Sequence, residues 1–334
     1  MRIDLVLVHL GGALPKHLVA NLERLSKSNW PIRIHCIVEA SASIPPYLQE
    51  SIEFSHFERA KDSIFLEDVS TLPRGFRHGF WIHTIERFIA LANWHDKHPS
   101  EVLLHIESDV LLMKSFPWTF FAGLESLSWC EFSSMADVAS IFFSPNPGET
   151  RWLLNQLLSE VTTFPGTTDM TGLSRIRASN IDRVVMLPSR LDDPRAQSLG
   201  VFDGASFGMW ITGQDPRNHF GLIKRHRPLE RSAISSAGLT FNLSSLGFLT
   251  ASLGTQKAII HNLHIHSKRT RLLGTQWQHY LRRDLFINGY TFPITTFSPR
   301  VFMALLIEYR RKHGIVSLYS VKKVVQFLSG RRID

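Results

Sequence analysis

The chain has 334 residues and 44% hydrophobic content, enough for one large domain or one domain with an appendage. Lysine and arginine outnumber acidic residues 37 to 29 and the pI is about 9.7, a balance that suits an anionic partner such as a nucleotide diphosphate, a lipid surface or a nucleic acid. Two cysteines, Cys36 and Cys130, with no CxxC and no His/Cys cluster of zinc spacing, argue against a disulfide framework or a structural zinc and fit a reducing cytosol, and no run of about 18 uninterrupted apolar residues is long enough to span a membrane.

Strand-like and helix-like segments alternate along the chain, the pattern of a sheet covered by helices. MRIDLVLVHLGG is too short for a signal peptide and is interrupted by Asp4, so Ile3 to His9 reads as a first strand. Pro15 to Ser26 has helical spacing through Leu18, Leu22 and Leu25, and Ile32 to Val38 is a second strand. Shorter elements are expected up to Arg74, then a helix from Phe80 to Trp94 carrying Ile85, Phe88, Ile89 and Leu91. An acidic strand follows within Glu101 to Lys114, a buried strand at Ala139 to Ser144, a helix starting at Pro147, and a strand at Val184 to Leu187 that Pro188 ends. No internal repeat is evident.

EVLLHIESDVLLMK, residues 101 to 114, carries the strongest chemical signal. Carboxylates at i and i+2 of a strand share one face, so Glu107 and Asp109 can approach one hard cation together while Ser108 and Val110 point away. A Mg2+ or Mn2+ held there would take a diphosphate to complete its shell; the simpler alternative is a carboxylate pair facing water. IIHNLHIHSK, residues 259 to 268, alternates Leu263 and Ile265 with His264 and His266, so one imidazole could join the cation while Lys268 and Arg269 hold a diphosphate. Arg87, in FWIHTIERF, could pair with Glu107 or Asp109 before metal arrives, or lie with Glu86 on the surface.

Two further segments bear aspartates. Asp169 begins a short helical stretch in TTDMTGL, where its side chain either caps free amides or presents an acid, base or sugar-hydroxyl acceptor to the groove above the sheet. In FDGASFGMWITGQDPRN, residues 202 to 218, a helix is bounded by Asp203 as N-cap and by Gly213 just past its end, with Gly204 and Gly208 on one face for close packing or ligand approach. Asp215 and Arg217 fall in the turn after it, as a candidate base or acceptor-orienting group and a phosphate contact.

HLGGALPKHLVANL, FWIHTIERF, LLHIESDV, FDGASFGMWITGQDPRN and NLHIHSK together resemble the GT-A class of nucleotide-sugar-dependent glycosyltransferases, in particular a bacterial-type group of polysaccharide glycosyltransferases, over roughly residues 1 to 275. The resemblance implies an α/β fold, a Rossmann-like mixed central sheet flanked by helices, with the donor side in 1–145, the acceptor side in 146–275 and a basic helical C-terminal extension in 276–334. It implies transfer of a sugar from a nucleoside diphosphate to a hydroxyl of a saccharide or lipid-linked saccharide, in surface polysaccharide or glycolipid synthesis. Glu107 and Asp109 would be its DxD motif with Mn2+ or Mg2+, the first position departing to Glu. His264 or His266 would be the carboxy-terminal metal ligand, Lys268 a diphosphate contact, and His9, Gly11, Arg87 and Arg217 further donor-side residues, with Asp169 and Asp215 as rival catalytic groups.

Arg300 to Asp334 contains two helix-compatible apolar patterns with clustered basic residues, expected either to pack on the domain or to lie on an anionic membrane surface. The latter would make a cytoplasmic protein peripheral on the inner face of the membrane. A non-catalytic module of the same fold, recruited to saccharide or membrane by this tail, is the alternative function. Nucleic-acid binding is not expected, since no aromatic-interleaved basic stretch occurs.

Overall fold

The computed structural model describes residues 3–59, 61–75, 79–99, 101–133, 135–212 and 239–288. Asp215, Arg217 and residues 289–334 of the C-terminal extension therefore lie outside the described residues. The elements follow the order β1 (Ile3–His9), α1 (Lys16–Ser26), β2 (Ile32–Glu39), α2 (Pro46–Gln49), β3 (Glu53–Phe57), α3 (Lys61–Val69), α4 (Phe80–Lys97), β4 (Val102–Ile106), β5 (Val110–Leu112), α5 (Trp118–Ala122), β6 (Ser128–Ser133) and β7 (Ala136–Ser144). After them come α6 (Pro147–Thr163), α7 (Asp169–Ser179), α8 (Ala196–Leu199), α9 (Ser206–Thr212), β8 (Leu239–Leu243), β9 (Leu249–Leu253), β10 (Gln256–Ile260), β11 (Asn262–His264), α10 (Thr270–Leu273) and α11 (Trp277–Asn288).

The central sheet has six strands in the order β3-β2-β1-β4-β7-β6. The first four are parallel, and β7 enters antiparallel to both β4 and β6, giving a mixed Rossmann-like sheet. Continuous apolar runs such as IDLVLVH form its centre because helices cover both faces and no side needs to meet water. One face packs Val6, Leu103 and Phe142 against α4, α6 and α7; the other packs Leu5, Leu104 and Ile141 against α1 and α5. Between β1 and β4 the chain order reverses, since β2 and β3 extend the sheet one way and β4 the other. In open α/β sheets the carboxyl ends of the strands at such a reversal frame a crevice suited to ligands.

A third apolar core lies beside the sheet, where α9, α10 and α11 pack on the antiparallel trio β10-β9-β8. Strand β5 joins the two regions. Val110 and Leu112 enter the core under the main sheet while Leu111 and Met113 enter the third core, the period-two alternation of a strand buried on both sides.

Several sequence expectations change at this level. The acidic strand is not continuous: Glu107 and Asp109 sit on a turn between β4 and β5, closed by the Val110 amide donating to Glu107 O at 3.1 Å. The 259–268 segment is likewise split into β10, β11 and a following turn. Val184 to Leu187 makes only isolated bridges to Leu127 and Cys130, because the register of β6 shifts between Trp129 and Cys130 and no regular edge is offered to it. The helix expected to be capped by Asp203 starts later, at Ser206, and the Asp203 carboxylate still caps its first turn by accepting from the amides of Phe207 and Gly208 at 2.9 and 2.7 Å. Among the described residues no helix is long and apolar enough to cross a membrane.

Gly208 shows why α9 can sit against β11. A Cβ at this position would lie 1.9 Å from His264 O, so the small-residue face serves backbone packing. Gly208→Ala is expected to cost about 1–3 kcal/mol or more, as overpacking does in a tight interface. Urea denaturation checks this, and an unchanged midpoint would contradict the close approach.

Candidate metal centre

The turn after β4 delivers Glu107 and Asp109 at the carboxyl end of the sheet beside the β1–β4 reversal. Ser108 points the other way, as the sequence suggests, with its Oγ 3.2 Å from His17 Nε2 on α1. β11 pairs antiparallel with β5, setting His264 opposite Val110, and the Ile265 amide donates to Asp109 O at 2.8 Å. This ladder carries His264 to the acidic turn across more than 150 residues of chain.

His264 Nε2 lies 3.1 Å from Glu107 Oε2 and 3.3 Å from Asp109 Oδ1. One potential ligand atom from each of the three residues falls within 4.8 Å of the others. His264 Nδ1 donates to Gly204 O at 2.6 Å, so a neutral imidazole turns its Nε2 lone pair toward two carboxylate oxygens. That arrangement is repulsive unless a proton or a cation stands between them. Two carboxylates and an imidazole fixed through its other nitrogen form a donor set that fits a divalent ion such as Mn2+ or Mg2+.

In the absence of such an ion the proton is the available cation. Burial opposes charge on His264, but the adjacent Asp109 and Glu107 outweigh it and hold the imidazole pKa well above 6.5. Burial likewise opposes ionisation of both acids; Arg87 chiefly overcomes it for Glu107, and Lys268 with His264 for Asp109, so each carboxylate stays far below its ordinary range. His266 stacks on His264 with ring centroids 4.1 Å apart, and burial together with the neighbouring imidazolium pushes it down to about 3. The geometry thus puts His264 in the cluster and His266 behind it as a neutral ring.

Arg87, from α4, is buried and spans two acids: Nη1 meets Glu107 Oε1 at 2.5 Å and Nη2 meets Asp169 Oδ2 at 2.9 Å. It is not a surface residue, nor is Glu86 beside it. Asp169 does not cap its helix. Thr168, one residue earlier in extended conformation, takes that role through a capping box with Thr171, leaving the Asp169 carboxylate to Arg87. Burial raises the Asp169 pKa despite that guanidinium. Lys268 Nζ stands 3.1 Å from Asp109 Oδ2 on a backbone with φ of 47°, the one non-glycine positive φ among the described residues. Arg269, expected beside Lys268 at a diphosphate, is instead paired with Asp284 of α11 and donates to Thr212 O.

His9 ends β1 with Nε2 3.1 Å from Ala13 O, and burial lowers its pKa. Gly11 and Gly12 follow with φ of 115° and 87°, and the Gly12 amide donates to Glu39 Oε2 at 3.1 Å, so this loop turns across the ends of β1 and β2. Sequence reasoning read Asp203 only as a helix cap and missed Asn262. Both are fully buried; Asn262 exchanges two hydrogen bonds of 2.9 Å with the Asp203 backbone, and Asp203 Oδ2 accepts from the His264 amide at 2.9 Å. The FDG and HNLH segments each contain one partner, but nothing in the sequence links them.

No protein-family model matches the chain, and no curated protein matches it. Among solved structures, the apo glycosyltransferase GlyE of Streptococcus pneumoniae TIGR4 is 12% identical, with a TM-score of 0.36, over 56% of this chain and 45% of that one. The PaToxG glycosyltransferase is 11% identical, with a TM-score of 0.37, over 54% of this chain and 70% of that one. The bifunctional glycosyltransferase WbbM is 11% identical, with a TM-score of 0.36, over 56% of this chain and 39% of that one. The chain thus spans under half the length of two of these three proteins. At these scores the likeness is distant, and residue roles come from this chain's own geometry.

The raised His264 value sets the sign of a pH effect. Its stabilisation is fully present below the unfolded value near 6.5 and is lost as pH rises through the folded value, whereas the depressed Glu107 and Asp109 contribute above their ordinary range and lose their contribution on acidification. Thermal melts in EDTA are expected to show an alkaline decline that is flattened in His264→Gln. Equal alkaline slopes in the two proteins would contradict the proton assignment.

Proposed function

We infer that the chain is a metal-dependent glycosyltransferase, moving a sugar from a nucleoside diphosphate sugar to a hydroxyl acceptor in a saccharide or lipid-linked saccharide. The observation that carries this reading is the Glu107, Asp109 and His264 cluster at the strand-order reversal, flanked by a half-buried lysine and a buried arginine. A lone acidic pair would suit many roles. Two acids, an imidazole and Lys268 around one point suit a cation that must also meet an anionic ligand.

Glu107, Asp109 and His264 would hold the ion, which when bound supplies positive charge against the donor diphosphate. As the bond from the sugar carbon to the phosphate oxygen breaks, negative charge grows on the leaving diphosphate, and the Lys268 ammonium beside Asp109 is placed to receive it. Lys268 is about a quarter exposed, so its ammonium can turn from Asp109 to a phosphate once a bound ion balances the buried Asp109 carboxylate. Arg87 keeps Glu107 ionised and ties it to Asp169, a buried carboxylate one guanidinium away that would accept from a sugar hydroxyl. The Gly11–Gly12 turn over the ends of β1 and β2 leaves backbone without side chains on the donor side.

A nucleoside diphosphate is expected to raise the melting temperature only when Mn2+ or Mg2+ is present, by binding the folded state alone. A nucleotide-release screen over UDP-, GDP- and CMP-sugars with Mn2+ should then find a donor, with release abolished in Asp109→Ala. No melting shift from any nucleotide, with or without metal, would refute the reading.

A further inference from the structure

Helix α1 carries a buried polar stripe that the reaction above leaves unused. Asn21 and Arg24 share one face of the helix and are both buried. Carbonyls of the segment that bears Asp109 alternate in direction. That of Asp109 accepts from the Ile265 amide, whereas Ser108 O and Val110 O accept from Asn21 Nδ2 at 3.2 and 3.0 Å. Arg24 extends the same contact line: Nη1 donates to Leu112 O at 3.3 Å, and Nη2 donates to Asn21 Oδ1 at 2.8 Å, which fixes the amide with its NH2 toward the strand.

Arg24 is costly where it stands. Its guanidinium lies 5.7 Å from the Trp30 ring, no ion pair to it occurs among the described residues, and burial alone pushes its pKa down to about 9. An apolar side chain of similar size would fill the space without that desolvation. What the arginine gains in return ends on the Asp109 segment, directly at Leu112 and through Asn21 at the carbonyls on either side of Asp109.

We propose that Asn21 and Arg24 are positioning residues of the cation site, holding the carbonyls that flank Asp109 so that its carboxylate meets His264 across the ligand gap. They thereby set cation affinity without touching the ion. The inference rests on the cation reading of the site. Mn2+ titration of the full chain, followed by the electron paramagnetic resonance signal of the free ion, compares the native protein with Asn21→Leu, Arg24→Met and Leu22→Ala. Leu22 lies on the same helix but in the apolar core, so its truncation loosens α1 without removing the clamp.

Both clamp variants are expected to bind Mn2+ on the order of 10–100-fold more weakly, while Leu22→Ala stays within about twofold despite an equal or larger fall in melting temperature. Arg24→Met keeps the test open should Asn21→Leu fail to fold. Native Mn2+ affinity in the clamp variants, or an equal loss in Leu22→Ala, overturns the proposal. Absence of Mn2+ binding by the native chain is a separate failure, which removes the cation reading and the clamp with it.

Discussion

Glu107 and Asp109 are two negative charges drawn out of bulk water onto a single turn, and their surroundings are arranged around keeping both ionised there. Asp169 adds a third carboxylate one guanidinium away. Against them stand Arg87, Lys268 and a protonated His264, which balance the three acids charge for charge. Exchanging the imidazole proton for a divalent ion leaves one surplus positive charge beside the carboxyl ends of β1 and β4. A diphosphate is the kind of ligand that such a surplus favours, and the basic net charge of the chain acts in the same direction at longer range.

Geometry is held by elements distant in sequence. The parallel strands β1 and β4 place the turn at the strand-order reversal, and β11 pairs with β5 to bring His264 to it. Asp203 fixes the other side: one carboxylate accepts from α9 and from the His264 amide, while the Gly204 carbonyl next in sequence orients the imidazole. A bare Gly208 lets α9 come close enough for this. Each contact is individually modest, yet together they leave His264 a single orientation, since breaking any one exposes a buried polar group.

Much of the scaffold was legible because buried parallel strands and one-sided helices write themselves as apolar runs and 3.6-residue spacing; β1, α1, β2 and α4 all lie within a few residues of expectation. The acidic pair and Lys268 could be named as candidates from charge and alternation, with Arg87 left between Glu107, Asp109 and the surface, and the imidazole left between His264 and His266. The break between β4 and β5 was not, because apolar residues continue on both sides of Glu107 to Asp109 and one backbone hydrogen bond makes the turn. Asp169 could not be decided between cap and free acid, because Thr168, equally suited to cap, precedes it. The Asn21 and Arg24 stripe gave no signal, since nothing local says that strand carbonyls will cover it. Choosing His264 over His266 needed the pairing register with β5, which is a long-range fact.

The proposed divalent ion among Glu107, Asp109 and His264 is the part of the functional reading on which the rest depends. Pulsed electron paramagnetic resonance of the Mn2+-loaded protein measures this directly, because a coordinated imidazole nitrogen couples to the electron spin. A 14N coupling present in the native protein and absent in His264→Gln, but retained in His266→Gln, is the expected result. Bound Mn2+ with no nitrogen coupling, or a coupling that follows His266, would contradict it.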